Sequence, residues 1–398
     1  MGTDNDKALS TAFRYLDFLG TSKLSVEQIK SEFYKLACKF NVSASTERSY
    51  VLVSGLSENF EKALELFEDI LSDAQTDATI YKNLINDIFK ERNNNKLDQT
   101  TNFSRLENYA IYGALSPMTN ILSKKELETL NPEELVNRTK NLKNFEHKIL
   151  YYGPLSEKEI VEIINNKHFT ADNLQPVPEA VKFEFQDITE NTVLLAEYDA
   201  KQIYMSLLHK SNVFDKNIEP NRILYNEYFG GNMSSITFQE MREARGLAYT
   251  ARATYQKPAK PMYPYYMRAY IATQNDKMIE AIEAFNEILN NMPLSQNTLD
   301  IAKENLITGI RTERILREDI LWQYLDDTEF GFTTDSRKNI FDNVNNLSLD
   351  DVKTFQEKYV KNKPFIYCIL GDSKNLDLKE LQKIGKIRKL TKEEIFGY

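Results

Sequence analysis

The chain is poor in the side chains from which hydrolytic and metal centres are usually built. Its 398 residues hold three histidines, two cysteines and one tryptophan. No two of the histidines, His147, His168 and His209, fall within four residues of each other. That spacing excludes a metal motif written on one helix face, which needs two ligands one turn apart. Each histidine is therefore read as a solitary surface or core residue, and no metal is expected in this chain. Cys38 and Cys368 form neither a disulfide framework nor a CxxC pair, and are read as buried thiols. Excess positive charge is missing too: 50 basic against 59 acidic residues leave a net charge of −9. A nucleic-acid partner or an anionic membrane surface rewards the opposite sign. No apolar run approaches the ~18 residues of a membrane span. The glycines of "GGNMSS" are not followed by the lysine that a phosphate-binding loop requires.

What is present is a core-forming composition, 41% apolar and 27% charged, at a length suited to two domains. Phe60, Ala63, Leu64, Phe67, Ile70 and Leu71 line one face of a helical pattern. Adding 218 to each number gives Met278, Ala281, Ile282, Phe285, Ile288 and Leu289, apolar every time. The same offset carries Gly153 of "KILYYGP" onto Gly371 of "IYCILGD", each ending a β-rich run. An offset of 210 carries Gly20 of "FLGT" onto Gly230 of "YFGG". The pattern is that of an internal duplication.

The expected architecture is α+β: two tandem homologous sandwich domains, each an antiparallel sheet with helices on one face. The first repeat is placed at 1–170, a Pro-containing linker at 171–180, and the second repeat at 181–398. In the second, strands are expected at 181–185, 192–198 and 202–208, then a helix over 221–229. The hairpin "LAYTARATYQ"/"YYMRAYIAT", a helix over 276–291, a long helical run over 298–324, a short helix near Val352 and a last strand follow. The first repeat has few residues ahead of Thr11, so its initial strands are expected to be missing, as in a chain cut at its N-terminus.

The segment "GGNMSSITFQEMREARGLAY", 230–249, is the most device-like stretch. Gly230 and Gly231 end one helix, and Ser234 or Ser235 can cap the next. Gly246 suits the left-handed position that closes it, and Tyr249 falls early in a strand. Arg242 and Tyr249, seven apart, can then converge from helix end and strand start. Convergent cationic and phenolic donors suit the stabilisation of charge on a carbonyl oxygen. Equally, Arg242 can pair with Glu240 or Glu243 while Tyr249 joins the core. Arg245 is read as a structural ion-pair residue. Adjacent Asp326 and Asp327 point apart on a helix, and "KPAKPMYPYY" reads as a hairpin loop.

Over nearly its whole length the chain resembles the pitrilysin-type (insulinase, inverzincin) zinc peptidases. "YFGGNMSSITFQEMREARGLAYTARA" and "YLDFLGTSKLSVEQIKSEFYKLACKFNVSASTERSYVLVSGLSENFEKALELFEDIL" carry the resemblance. It implies a pitrilysin-like fold in which two halves, each a pair of such domains, enclose a peptide chamber. The catalytic half of that family bears HxxEH on the first helix of its first domain. Laid on this chain, the motif falls on Thr11, Arg14 and Tyr15, none of which can bind metal or activate water. The chain thus resembles the carboxy-terminal, non-catalytic half. The resemblance implies that Arg242 and Tyr249 assist catalysis at a zinc site outside this chain. Gly230, Gly231, Asn232 and Ser234 are then expected to line the chamber. Implied partners are an HxxEH-bearing half, in the same polypeptide or a separate subunit, and unfolded peptide. A catalytically inert, peptidase-derived scaffold or binding subunit is the competing reading.

Overall fold

Strands are shared unevenly between the two units of the chain. The computed structural model describes all 398 residues. One unit comprises Met1–Leu97, Leu115–Glu184 and Phe396–Tyr398, the other Asp98–Ala114 and Phe185–Ile395. The second therefore takes in residues 98–114 from within the span expected for the first repeat.

The first unit holds a single antiparallel hairpin, β1 (Cys38–Ala44) and β2 (Ser49–Gly55), in unbroken register from Cys38↔Gly55 to Ala44↔Ser49. Its other elements are helical. Leu9–Leu16 buries Leu9, Ala12, Phe13, Tyr15 and Leu16, and Val26–Lys35 starts at a capping box on Ser25. Phe60–Asp73 buries Ala63, Leu64, Phe67, Ile70 and Leu71, five of the six periodic positions read from the sequence, with Phe60 half-buried.

The second unit is built on a six-stranded sheet. Its strands are β3 (Thr192–Glu197), β4 (Gln202–Val213), β5 (Ala248–Gln256), β6 (Pro264–Gln274), β7 (Ile366–Gly371) and β8 (Lys386–Leu390), in the order β5-β6-β4-β7-β3-β8. The α+β class stands, but the sheet is mixed rather than antiparallel, because β3 runs parallel to both β7 and β8. The strand expected at 181–185 and the β-rich run before Gly153 are both irregular. The helical run expected over 298–324 is two helices, Gln296–Thr312 and Asp319–Glu329; Arg317, with φ +55°, lies in the break. β8 had no counterpart in the sequence reading.

Period-two alternation divides the sheet into two apolar faces. Ile203, Met205 and Leu207 point to the main helical layer with Val193, Leu195, Tyr367 and Ile369. There they meet Met278–Asn290, which buries Met278, Ala281, Ile282, Phe285, Ile288 and Leu289. The opposite face is covered by Gln99–Tyr112, whose Phe103 ring packs against Tyr204 and Tyr270 at centroid distances of 5.8 and 5.6 Å. Glu107 on that helix takes a two-pronged contact from Arg268 of β6, at 2.6 and 3.0 Å. Helices thus cover both faces. Cys368 is fully buried, and burial raises its thiol pKa; Cys38 is only half-buried.

Candidate functional site

The segment singled out in the sequence lies at the β5 edge of the second unit's sheet. Glu219–Asn226 leads into it as an α-helix and widens into a π-helical stretch over Glu227–Gly231. A buried network ties this helix to the sheet. Arg222 donates to Glu219 at 2.8 and 2.9 Å and to the Tyr255 carbonyl at 3.1 Å, and the Tyr265 hydroxyl donates to Glu219 at 2.7 Å. Burial raises the pKa of both the Tyr255 and Tyr265 phenols. The Asn226 side chain then acts as a substitute strand. Its amide donates to the Tyr255 carbonyl at 3.1 Å and accepts the Tyr255 N–H at 2.7 Å. The outer edge of β5 is closed at that residue.

Gly230 is buried against the same strand. A Cβ there would stand 2.0 Å from the Ala253 carbonyl oxygen, so only hydrogen fits. Gly230 is thus held by close backbone packing against β5. Gly231 is exposed, and Asn232 and Ser234 are half-buried. Asn232 closes the loop on itself, donating to Glu227 Oε1 at 2.7 Å and accepting the Ser234 N–H at 2.6 Å. The cap on the next helix is Ser235, not Ser234: its hydroxyl donates to the Asn232 carbonyl and accepts the Phe238 N–H.

The helix that follows is one α-turn, Ile236–Phe238, continued as a π-helix over Gln239–Ala244. Gly246, at φ +60°, ends it, as the sequence suggested. The Gly246 N–H bonds the Arg242 carbonyl at 3.1 Å and the Leu247 N–H bonds the Met241 carbonyl at 2.9 Å. The chain then enters β5 through a bulge. Ala248 pairs with Thr273 and Thr250 with Ala272, which leaves Tyr249 without a ladder partner. A bulge re-aims the extra side chain away from the pleat. Tyr249 is accordingly 78% exposed and does not enter the core.

Arg242 and Tyr249 do meet. The guanidinium carbon lies 4.7 Å from the centroid of the Tyr249 ring and 4.9 Å from that of Phe238. Guanidinium on an aromatic face is an attractive, orienting contact of about 0.5–1 kcal/mol at exposed sites. Glu243 approaches Arg242 at 3.7 Å, so the ion pair weighed from the sequence is present at long range. Arg245 makes the expected structural pairs, to Glu287 at 2.7 Å and Glu240 at 3.7 Å. Met233, at the loop tip, is 72% exposed. The segment thus shows solvent a thioether, a phenol and part of a guanidinium. The π-helical stretches and the bulge escaped the sequence reading. Only the cluster of glycines around Arg242 hinted at irregular backbone.

The positions under the HxxEH motif do not fit a zinc ion. Tyr15 is fully buried, its hydroxyl donating to the Asp77 carbonyl at 2.7 Å and accepting the Asp77 N–H at 2.8 Å. Arg14 is paired with Glu91 at 2.9 Å, and Thr11 supplies only a hydroxyl.

Comparison with known proteins matches two stretches of the chain to one family. Residues 3–112 match the model described as insulinase (peptidase family M16), and residues 124–306 match the peptidase M16 inactive domain. Two curated relatives are called uncharacterized zinc proteases. The Rickettsia bellii protein is 24% identical over 296 residues, covering 71% of this chain and 68% of its own length. The Rickettsia felis protein is 22% identical over 339 residues, 79% of this chain and 74% of its own length. Among solved structures, a peptidase M16 inactive domain from Pseudomonas fluorescens superposes with a TM-score of 0.71 at 18% identity, over 94% of this chain and 90% of that one. A conserved protein from Enterococcus faecalis gives a TM-score of 0.73 at 12% identity, over 93% and 90%. The Escherichia coli periplasmic protease PqqL gives 0.69 at 12% identity; 94% of this chain covers 41% of that longer one.

Proposed function

Because the chain belongs to the peptidase family M16, we propose that it serves as the non-catalytic half of a zinc peptidase, completing the peptide chamber and assisting peptide-bond hydrolysis. The observation that carries this reading is the Arg242–Tyr249 pair, stacked at 4.7 Å and set outside the strand ladder by a bulge. A residue serving only the fold has no need of a backbone irregularity that turns its ring to solvent. Zinc chemistry, in this reading, belongs to an HxxEH-bearing half, joined to this chain or separate from it. What the present residues contribute is charge stabilisation and binding. As a peptide carbonyl is attacked, its oxygen gains negative charge, and the Tyr249 hydroxyl or the Arg242 guanidinium stabilises it. The guanidinium fork also suits peptide carbonyls as they bind. Tyr249 and Met233 offer apolar contact area to an unfolded peptide, and Gly231, Asn232 and Ser234 shape the neighbouring loop. The β5 edge, closed by Asn226 at Tyr255, makes this unit a wall of the chamber rather than its strand-docking edge.

The test is reconstitution. The purified chain should cleave no unfolded peptide alone, and adding its HxxEH-bearing half should produce or raise activity. A catalytic half whose rate is the same with and without this chain would favour the inert scaffold. Cleavage by this chain alone would overturn the assignment.

A further inference from the structure

Two histidines that look solitary in the sequence are neighbours in the first unit. Glu68 is buried on Phe60–Asp73, and its Oε1 lies 2.6 Å from Nδ1 of His168, the residue ending the helix Glu157–Lys167. Nε2 of His168 faces Nε2 of His147 at 3.0 Å, and Nδ1 of His147 lies 2.7 Å from the Phe145 carbonyl oxygen. A carbonyl oxygen only accepts, so the hydrogen of His147 is on Nδ1. Opposite a carboxylate the same holds for His168. A neutral imidazole has one N–H, so both Nε2 atoms turn lone pairs towards each other. Two lone pairs at that distance repel, and the arrangement is stable only with a positive centre between them.

We propose that His147 and His168 form a surface site for a divalent transition cation of the zinc, nickel or copper type, bound through both Nε2 atoms. Metal–nitrogen bonds of about 2.0–2.1 Å across a 3.0 Å gap subtend about 95°, compatible with two adjacent ligand positions. Nitrogen donors suit this class of cation, and affinity within it rises from zinc or nickel to copper. Each ring also has the outer contact typical of a metal-binding histidine: Nδ1–H to a carboxylate in one, Nδ1–H to a backbone carbonyl in the other. The site is held ready by its backbone. A bridge between Phe145 and Gln175 (Glu146 N–H to Gln175 carbonyl, 3.0 Å; Gln175 N–H to Asn144 carbonyl, 2.8 Å) fixes the approach to His147. Of the lysines adjacent to the two rings, Lys167 beside His168 is drawn to Glu65 at 3.1 Å and Glu61 at 3.5 Å, and Lys148 beside His147 is exposed to solvent. His147 is exposed, so the remaining positions on the metal are open to water or a ligand. The site shares no residue with the Arg242–Tyr249 pair and stands whether or not that pair assists hydrolysis.

Calorimetric titration of the full chain with zinc chloride and with nickel chloride at neutral pH tests it. One cation per chain is expected. His147→Ala and His168→Ala should each weaken binding at least about tenfold, and Glu68→Gln about tenfold through the lost outer contact. Circular dichroism of each variant confirms the fold. Unchanged binding in the double histidine variant would place the cation elsewhere and overturn the proposal. Absence of binding by the unmodified chain would do so too, leaving a shared proton as the positive centre.

Discussion

The two units spell out the same sequence of elements, and only one spells it regularly. Each runs from a helix to a tight glycine, then a serine-capped helix, a hairpin, a 3-10 turn and an amphipathic helix. The glycines are Gly20 and Gly230, the caps Ser25 and Ser235, and the turns Ser57–Asn59 and Asn275–Lys277. In the first unit the capped helix, Val26–Lys35, is α throughout and its hairpin keeps register. The second unit interrupts both helices with π-helical stretches and its hairpin with a bulge at Tyr249. Such irregularities cost stability and persist where the surroundings over-determine them, often beside a functional site. Here they cluster around Arg242 and Tyr249. On the first unit's opening helix, Tyr15 is buried and bonded to Asp77 and Arg14 pairs with Glu91.

If the shared element order reflects shared packing, removing equivalent rings should cost alike. Phe285→Ala and Phe67→Ala should each destabilise their own unit by about 3–5 kcal/mol in chemical denaturation, the usual cost of an emptied aromatic site. A loss below about 1 kcal/mol at Phe67, 2% exposed, would break the parallel. Gly230→Ala comes next, because its Cβ would lie 2.0 Å from the Ala253 carbonyl oxygen. About 1–3 kcal/mol is expected from overpacking, read as a lowered unfolding midpoint. Asn226→Ala leaves the Tyr255 N–H and one bond to its carbonyl unmade, for about 1–3 kcal/mol. The smallest effect is electrostatic. Burial lowers the pKa of His209, whose Nδ1 bonds the Pro364 carbonyl at 2.8 Å. The unfolded chain then takes up this proton first, near pH ~6.5, so stability declines as pH falls through that value toward the depressed folded one. In a stability–pH series, His209→Gln should flatten that acid limb.

Much of the fold could be read from pattern, and the exceptions have definite causes. β5 from Ala251 onward and the second half of β6 alternate cleanly, whereas the middle of β4 is buried on both faces. The amphipathic helices at 60–73 and 278–290 were legible because one face of each meets a core. The alternation at 181–185 has no partner strand, and β8 is a mostly polar edge strand, so alternation misled once and failed once. Gln99–Tyr112 joins the second unit through Phe103, Leu106, Tyr109 and Ala110, a choice no linear scan can make. At the site, the Arg242–Tyr249 meeting was legible because Gly246 fixes the reversal. The bulge was not, since a one-residue slip leaves no mark on composition. Nor could spacing reveal His147 beside His168, which tertiary packing brings together across 21 positions.

The claim that most needs testing is that the irregular unit works on chemistry whose metal lies outside this chain. The direct measurement is kcat/KM for an unfolded peptide in the assembled peptidase, with Tyr249→Phe and Arg242→Ala in this chain. A loss of about tenfold or more is expected for each, with an unchanged melting temperature because Tyr249 is 78% exposed. Unaltered kinetics in both variants would contradict the account and leave the pair a surface contact.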